Sequence, residues 1–252
     1  MTILLTAHEL ADFLNLTVET VWSYTQQYKI PVLKLSEEQY RYDKEAVLAA
    51  LKDQPVPAKE RQPEYSEKVG YTYADYLKIP EEPGCRYEVL EGILVKEPSP
   101  SVRHQRVTSA LYRRLADYFD LFDPEGEVFF APLDMTLSNH NVLQPDILYV
   151  SSAGKAIKHK ERIDGPVDLV VEVISPAKRR KDRLFKMEIY CKAGIPHYWL
   201  ADPEEKTLET FMLKGGHYTL VFAGAQGDQF AHPEFPGLDL DLEKVFRRSG
   251  AE

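Results

Sequence analysis

Two apolar segments of the chain each carry an acid where burial is expected: Gln144-Pro145-Asp146-Ile147-Leu148-Tyr149-Val150 and Asp168-Leu169-Val170-Val171-Glu172-Val173-Ile174. Both read as β-strands, and an ionised carboxylate among Ile, Leu and Val is costly unless a metal, a shared proton or an opposite charge offsets it. A period of two puts Gln144, Asp146 and Leu148 on one face of the first strand. The same period puts Asp168, Val170, Glu172 and Ile174 on one face of the second. If the strands are neighbours, Asp146 and Glu172 converge on one pocket. Their oxygens are hard ligands suited to Mg2+ or Mn2+, with a backbone carbonyl and waters completing the shell. Such an ion lowers the pKa of a bound water and offsets charge on a phosphate under attack, so phosphodiester hydrolysis is the chemistry expected. A lysine near that water would add electrostatic stabilisation, and its ordinary place is two residues after Glu172 on the same face. Ile174 stands there instead. The following segment offers Lys186, on a helical face with Asp182 and Tyr190, while Leu184, Met187 and Cys191 form the expected buried stripe. Mid-helix lysines are more often solvated, so spacing alone leaves both readings open.

A third acid, Asp134, joins if residues 128–137 and 142–150 form an antiparallel hairpin around Asn139-His140-Asn141. That loop would set Asp134 opposite Asp146 and Thr136 opposite Gln144, a like-charge pairing that needs a cation or a shared proton. The competing reading makes Asp134 a solvent-facing strand residue and Asp168 a strand-end turn former.

The elements that must position these groups read as a mixed β-sheet flanked by helices, an α/β (α+β) architecture. A short helix at 72–77 precedes a hairpin in which Tyr87-Glu88-Val89-Leu90 and Ile93-Leu94-Val95 flank Glu91-Gly92. A long helix over 101–119 turns Val107, Leu111, Leu115 and Tyr118 inward, with His104 on the same face. A helix over 181–192, stopped by Gly194, leads to a strand at 197–201 and a hairpin around Lys214-Gly215-Gly216-His217. Ahead of all this, Thr6 and Glu9 start one helix marked by Leu10, Phe13 and Leu14. Thr17 starts a second, carrying Val18, Val21, Trp22 and Thr25. A small strand or wing spans 31–42, and Asp43 caps a third helix through Val47, Leu48 and Leu51. Residues 1–53 thus form a helix-turn-helix plan, 54–69 a Pro-rich charged linker, and 70–252 the second domain.

The 252 residues, 44% hydrophobic, suffice for packed cores, and the formal net charge of −9 disfavours a general nucleic-acid coat protein. Local basic clusters remain: Arg103, Arg106, Arg113 and Arg114 on the long helix, and Lys178, Arg179, Arg180, Lys181 and Arg183 beside Glu172. Two cysteines without CxxC spacing indicate neither a zinc site nor a disulfide framework, which suits a reducing cytoplasm. No leader or membrane-length apolar run is visible, so no membrane is expected as a partner.

Several motifs in order resemble one family: Tyr87 to Gly92, Ser99 to Gln105, Ala131-Pro132-Leu133-Asp134, Gln144-Pro145-Asp146, Asp168 to Pro176, Lys186 to Tyr190, and Ala193 to Trp199. Together they look like the Uma-type endonucleases of the restriction-endonuclease-like PD-(D/E)XK superfamily, over roughly residues 70–245. The resemblance implies a magnesium-dependent phosphodiesterase core with Asp146, Glu172 and the Val173 carbonyl as metal ligands. It places the lysine role on Lys186 and makes Glu88 an auxiliary acid. His104, Gln144, Arg179, Arg180 and Lys181 are the expected substrate-side groups. One departure is Ile93, where an acid usually follows the hairpin glycine. The first 53 residues resemble excisionase-like and MerR-like helix-turn-helix domains, yet residues 17–27 carry Glu19 and no Lys or Arg, so docking on DNA or on protein stays open. The expectation is a cytoplasmic, homodimeric, Mg2+- or Mn2+-dependent DNA endonuclease. Its rival is a catalytically inactive DNA-bound regulator or assembly module.

Overall fold

The structure, a computed structural model, describes residues 4–14, 21, 25, 30–34, 40–53, 64–66, 68–174 and 185–247. It divides into two compact units, Met1–Glu60 and Arg61–Glu252.

The first unit holds β1 (Leu4–Leu5), α1 (Ala7–Leu14), β2 (Leu33–Lys34), β3 (Tyr40–Asp43) and α2 (Lys44–Asp53). A capping box starts α1: Glu9 N donates to Thr6 Oγ1 at 3.2 Å and Thr6 N donates to Glu9 Oε2 at 2.8 Å. Asp43 Oδ1 likewise accepts from the amides of Glu45 and Ala46 at 2.9 and 3.0 Å to start α2. Strand β3 pairs antiparallel with β1 and β2, and Leu10, Val21, Tyr42 and Val47 fill the core between helices and sheet. Phe13, expected on the apolar stripe, is exposed and takes the Lys44 ammonium over its ring at 3.9 Å. Of the second expected helix, Val21 and Thr25 are helical, and the rest lies outside the described residues.

The second unit runs β4 (Glu64–Tyr65), α3 (Tyr73–Tyr76), β5 (Cys85–Leu90), β6 (Ile93–Pro98), α4 (Val102–Phe122), β7 (Glu127–Phe130), β8 (Asp134–Ser138), β9 (Asn141–Leu143) and β10 (Ile147–Val150). It continues β11 (Ile157–Lys158), β12 (Arg162–Asp164), β13 (Leu169–Val173), α5 (Met187–Ala193), β14 (His197–Asp202), β15 (Thr207–Lys214), β16 (His217–Ala225), β17 (Gln229–Ala231), β18 (Asp239–Asp241) and α6 (Leu242–Val245). The strands form a six-stranded sheet, β16-β15-β14-β13-β10-β7, a seven-stranded sheet, β11-β12-β8-β9-β5-β6-β4, and the β17-β18 pair. This is a mixed α+β fold. Glu64 and Tyr65, inside the stretch read as linker, pair with Lys96 and Val95 and so belong to the second sheet.

The hairpin expected over 128–150 bends between the two sheets. Its tip pairs Met135 with Leu143 and Thr136 with Val142 in the seven-stranded sheet, while its base pairs Ile147 with Phe130 in the six-stranded sheet. Pro132 and Pro145 stand at the break, where each removes a ladder donor, and Ala131 N to Asp146 O, at 3.1 Å, links the strands there. The register differs from the expected one by two at the tip and by three at the base, so Asp134 does not oppose Asp146. Asp146 instead occupies the corner where the chain changes sheets.

Strand β13 is buried along its whole length, as its unbroken apolar run requires. On one face Val171 and Val173 meet Val107, Leu111 and Leu115 of α4 together with Trp199. On the other, Val170 and Ile174 meet Ile189 and Tyr190 of α5, Leu148 and Leu200. Burying one such leucine or valine contributes about 1.5–3 kcal/mol, so both faces are strongly specified. Among the described residues no helix is long and apolar enough to cross a membrane.

Candidate active site

Glu172 lies on the α5 face of β13, 2% exposed, and the helix facing it supplies a cation. Phe185 and Lys186 form a wide π-type turn leading into α5, a local geometry frequent at functional sites. That turn sends Lys186 inward: it is 0% exposed, and its Nζ donates to Glu172 Oε1 at 2.9 Å and to Glu88 Oε1 at 2.8 Å. The inward face of the helix is therefore Lys186, Ile189 and Tyr190, whereas Met187 and Cys191, expected as the buried stripe, are half-buried and Leu184 lies outside the described residues. Ile174, at the usual lysine position, is a core residue with 1% exposure.

Tyr190 adds a second donor, its hydroxyl reaching Glu172 Oε1 at 2.6 Å. Burial, followed by the nearby Glu172 and Glu88 carboxylates, pushes the Tyr190 phenol well above its ordinary value, so it stays a donor. Glu88 comes from β5 and is also fully buried; its Oε1 accepts the Gln144 amide at 2.9 Å.

Asp146, 2% exposed, is tied to the same strand end. Its Oδ2 accepts the Val173 amide at 2.8 Å. Its Oδ1 meets His104 Nε2 at 3.0 Å and Arg86 Nη1 at 3.4 Å. Ser101 caps α4 by accepting the His104 amide at 3.2 Å, which places that histidine in the first turn, facing the acid.

Asp146, Glu172, Glu88 and Lys186 thus come together, with His104 joined through Asp146 and Val173 through its N–H. Gln144 joins by its backbone; its side chain turns to Asp134 Oδ1 at 2.9 Å and the Tyr76 hydroxyl at 3.1 Å, leaving a buried Oε1 without a hydrogen-bond partner. Asp168 lies at the opposite end of β13, where its Oδ2 accepts the Ser151 amide at 2.8 Å. Arg179, Arg180 and Lys181 lie outside the described residues. Sequence reading missed Arg86 and Glu97 and gave Tyr190 no role. The first two were findable, because a two-residue turn at Glu91-Gly92 sets Arg86 directly across from Glu97.

Among the described residues no group of three or more His, Cys, Asp or Glu side chains is placed to hold an ion. The donor chemistry suits a hard cation nonetheless. Magnesium is commonly held by one or two carboxylates, with waters and substrate phosphate filling the octahedron, and Asp146 and Glu172 are two such groups at one strand end.

The mixed α+β fold is of restriction-endonuclease-like type, and it holds buried acids and a buried lysine together. The Uma2 family, described as "Putative restriction endonuclease", matches residues 73–243, and the chain belongs to it. A crystal structure described as a putative nuclease belonging to DUF820 from Anabaena variabilis ATCC 29413 is similar in fold, with a TM-score of 0.56 and 20% identity over 69% of this chain and 97% of that one. No curated protein matches.

Proposed function

We propose that the second unit is a Mg2+- or Mn2+-dependent DNA endonuclease that hydrolyses phosphodiester bonds. The observation that carries this reading is Lys186, fully buried yet bridging Glu88 and Glu172 from an element outside the acidic strands. A buried ion cluster seldom adds stability over apolar packing, so retaining one at a sheet corner favours chemistry over support.

In this reading Asp146 and Glu172 hold the cation, with the Val173 carbonyl beside them. The cation, when bound, supplies a water of lowered pKa and offsets phosphate charge. His104 and the Val173 amide fix the Asp146 carboxylate, and Tyr190 fixes Glu172. Lys186 orients the attacking water and stabilises charge growing on the phosphate, with Glu88 holding the ammonium in place. Arg179, Arg180 and Lys181, ten residues or fewer beyond Glu172 in sequence, contact flanking phosphates. Gln144, with its unpartnered Oε1, is a further substrate-side group. The first unit is a helix-turn-helix docking module for DNA or protein, and a cytoplasmic homodimer would present one site to each strand of a duplex.

Supercoiled plasmid is the test. Purified protein is expected to nick or linearise it with Mg2+ or Mn2+ and to leave it intact with a chelator. If neither ion supports cutting and neither raises the melting temperature, the nuclease reading fails and the DNA-bound regulator takes its place.

A further inference from the structure

Asp146 has a resident cation of its own. Arg86 lies on β5 two residues before Glu88, on the same strand face, and directly across the hairpin from Glu97. Its Nε and Nη2 both donate to Glu97 Oε2 at 3.3 Å. The remaining branch, Nη1, reaches Asp146 Oδ1 at 3.4 Å and the Gln144 carbonyl at 3.5 Å. The guanidinium side chain is 13% exposed and the Glu97 carboxylate 0%. Two guanidinium nitrogens engage Glu97 and one engages Asp146, which makes Glu97 the anchor and Asp146 the second partner. A guanidinium does not deprotonate in proteins, so it stays in competition with any ion for Asp146 Oδ1 at every working pH.

We infer that Arg86 is a positioning residue that acts as an exchangeable counter-ion of Asp146. Anchored on Glu97, it gives up Asp146 Oδ1 when a divalent cation takes that oxygen, and so sets the site's affinity for metal. The inference rests on the reading of Asp146 as a metal ligand given above. Glu97 gains a role with it, since the buried carboxylate draws the guanidinium away from Asp146 and keeps it beside the site after exchange. A second, ordinary role for Arg86 would be to brace Asp146 in its ligating rotamer. The two roles predict opposite signs, since losing a brace weakens metal binding and losing a competitor tightens it.

Titration calorimetry of Mn2+ into the full-length protein without DNA distinguishes them. Arg86→Gln should tighten Mn2+ binding by about tenfold or more, the size of effect one charge exerts on a ligand group 4–6 Å away. Glu97→Gln should weaken it by a comparable factor, because the guanidinium then leans on Asp146. Asp146→Asn, which should abolish the heat, shows that the signal comes from this site. Weaker or unchanged binding in Arg86→Gln overturns the inference. Should that variant fail to fold with Glu97 left buried, Glu97→Gln decides alone, because Arg86 keeps Asp146 as a partner; unchanged or tighter binding there is equally fatal. Wild type that binds no Mn2+ sinks the metal reading and this inference together, whereas wild-type binding with the wrong sign in the variants sinks the inference only.

Discussion

In the proposed nuclease one side chain, Lys186, serves both as the partner of two buried carboxylates and as the site's working cation. Its ammonium sits between two buried carboxylates, so truncation leaves Glu88 and Glu172 facing each other without it. Lys186→Ala should destabilise the metal-free protein by about 3–5 kcal/mol, the usual cost of breaking a buried pair from one side. Mn2+ should recover part of that loss and bind at least as tightly as in wild type, since a competing charge has gone. Cleavage should fall by about a hundredfold or more, as losses of aimed electrostatic groups do. Urea unfolding with and without Mn2+, set beside single-turnover plasmid cutting, measures both halves. A variant that cuts at the wild-type rate removes Lys186 from the chemistry.

At the scale of elements, α5 follows Lys186 and ends at Gly194. Gly194 closes that helix at φ +81° with nothing within 4 Å of where a Cβ would stand. Gly194→Ala therefore clashes with no neighbour and is charged only the left-handed backbone cost, about 1–2 kcal/mol, which denaturant titration would read. A second element-level prediction concerns the turn between β17 and β18. His232 Nδ1 accepts the amides of Glu234 and Phe235, both at 3.1 Å, so the proton resides on a buried Nε2 that has no hydrogen-bond partner. Burial, then the nearby His197, pushes the His232 imidazole down to about 3. The unfolded chain therefore binds a proton below about pH 6.5 that the folded protein refuses, so stability present at neutral pH is lost as pH falls toward 3. His232→Asn keeps an acceptor for the turn and cannot titrate. Its unfolding free energy should change less between pH 7 and pH 5 than that of wild type, and equal slopes would discount the histidine.

For the whole molecule, the family match and the candidate site both lie in the second unit, which spans Arg61–Glu252. A cation bound only by the folded site stabilises that unit by mass action, about 2.7 kcal/mol at a hundred times the dissociation constant. Differential scanning calorimetry of the full chain should show a transition that moves up with Mg2+ or Mn2+ and returns on chelation. Asp146→Asn and Glu172→Gln should abolish the shift, while in the metal-free protein Arg86 keeps Glu97 and Lys186 keeps Glu88 as charged partners. A shift preserved in both variants would put the cation somewhere else.

Local pattern was enough for much of this. Glu172 inside an apolar strand, the period-two faces of 169–173, the 3.6-residue stripe of Val107, Leu111 and Leu115, and the Glu91-Gly92 turn are written in nearest-neighbour chemistry, which the fold obeys. Tertiary structure decided the rest. No local signal says that the ladder breaks at both Pro132 and Pro145, so the split of one hairpin between two sheets, and the corner position of Asp146, emerge only when both strands are paired. The rotation of α5 is the sharper case. Amphipathic reading turns Met187 and Cys191 inward because it scores lysine as a group that must stay wet. Lys186 is buried instead because Glu88 and Glu172, 98 and 14 residues away along the chain, supply the charge that water would have supplied.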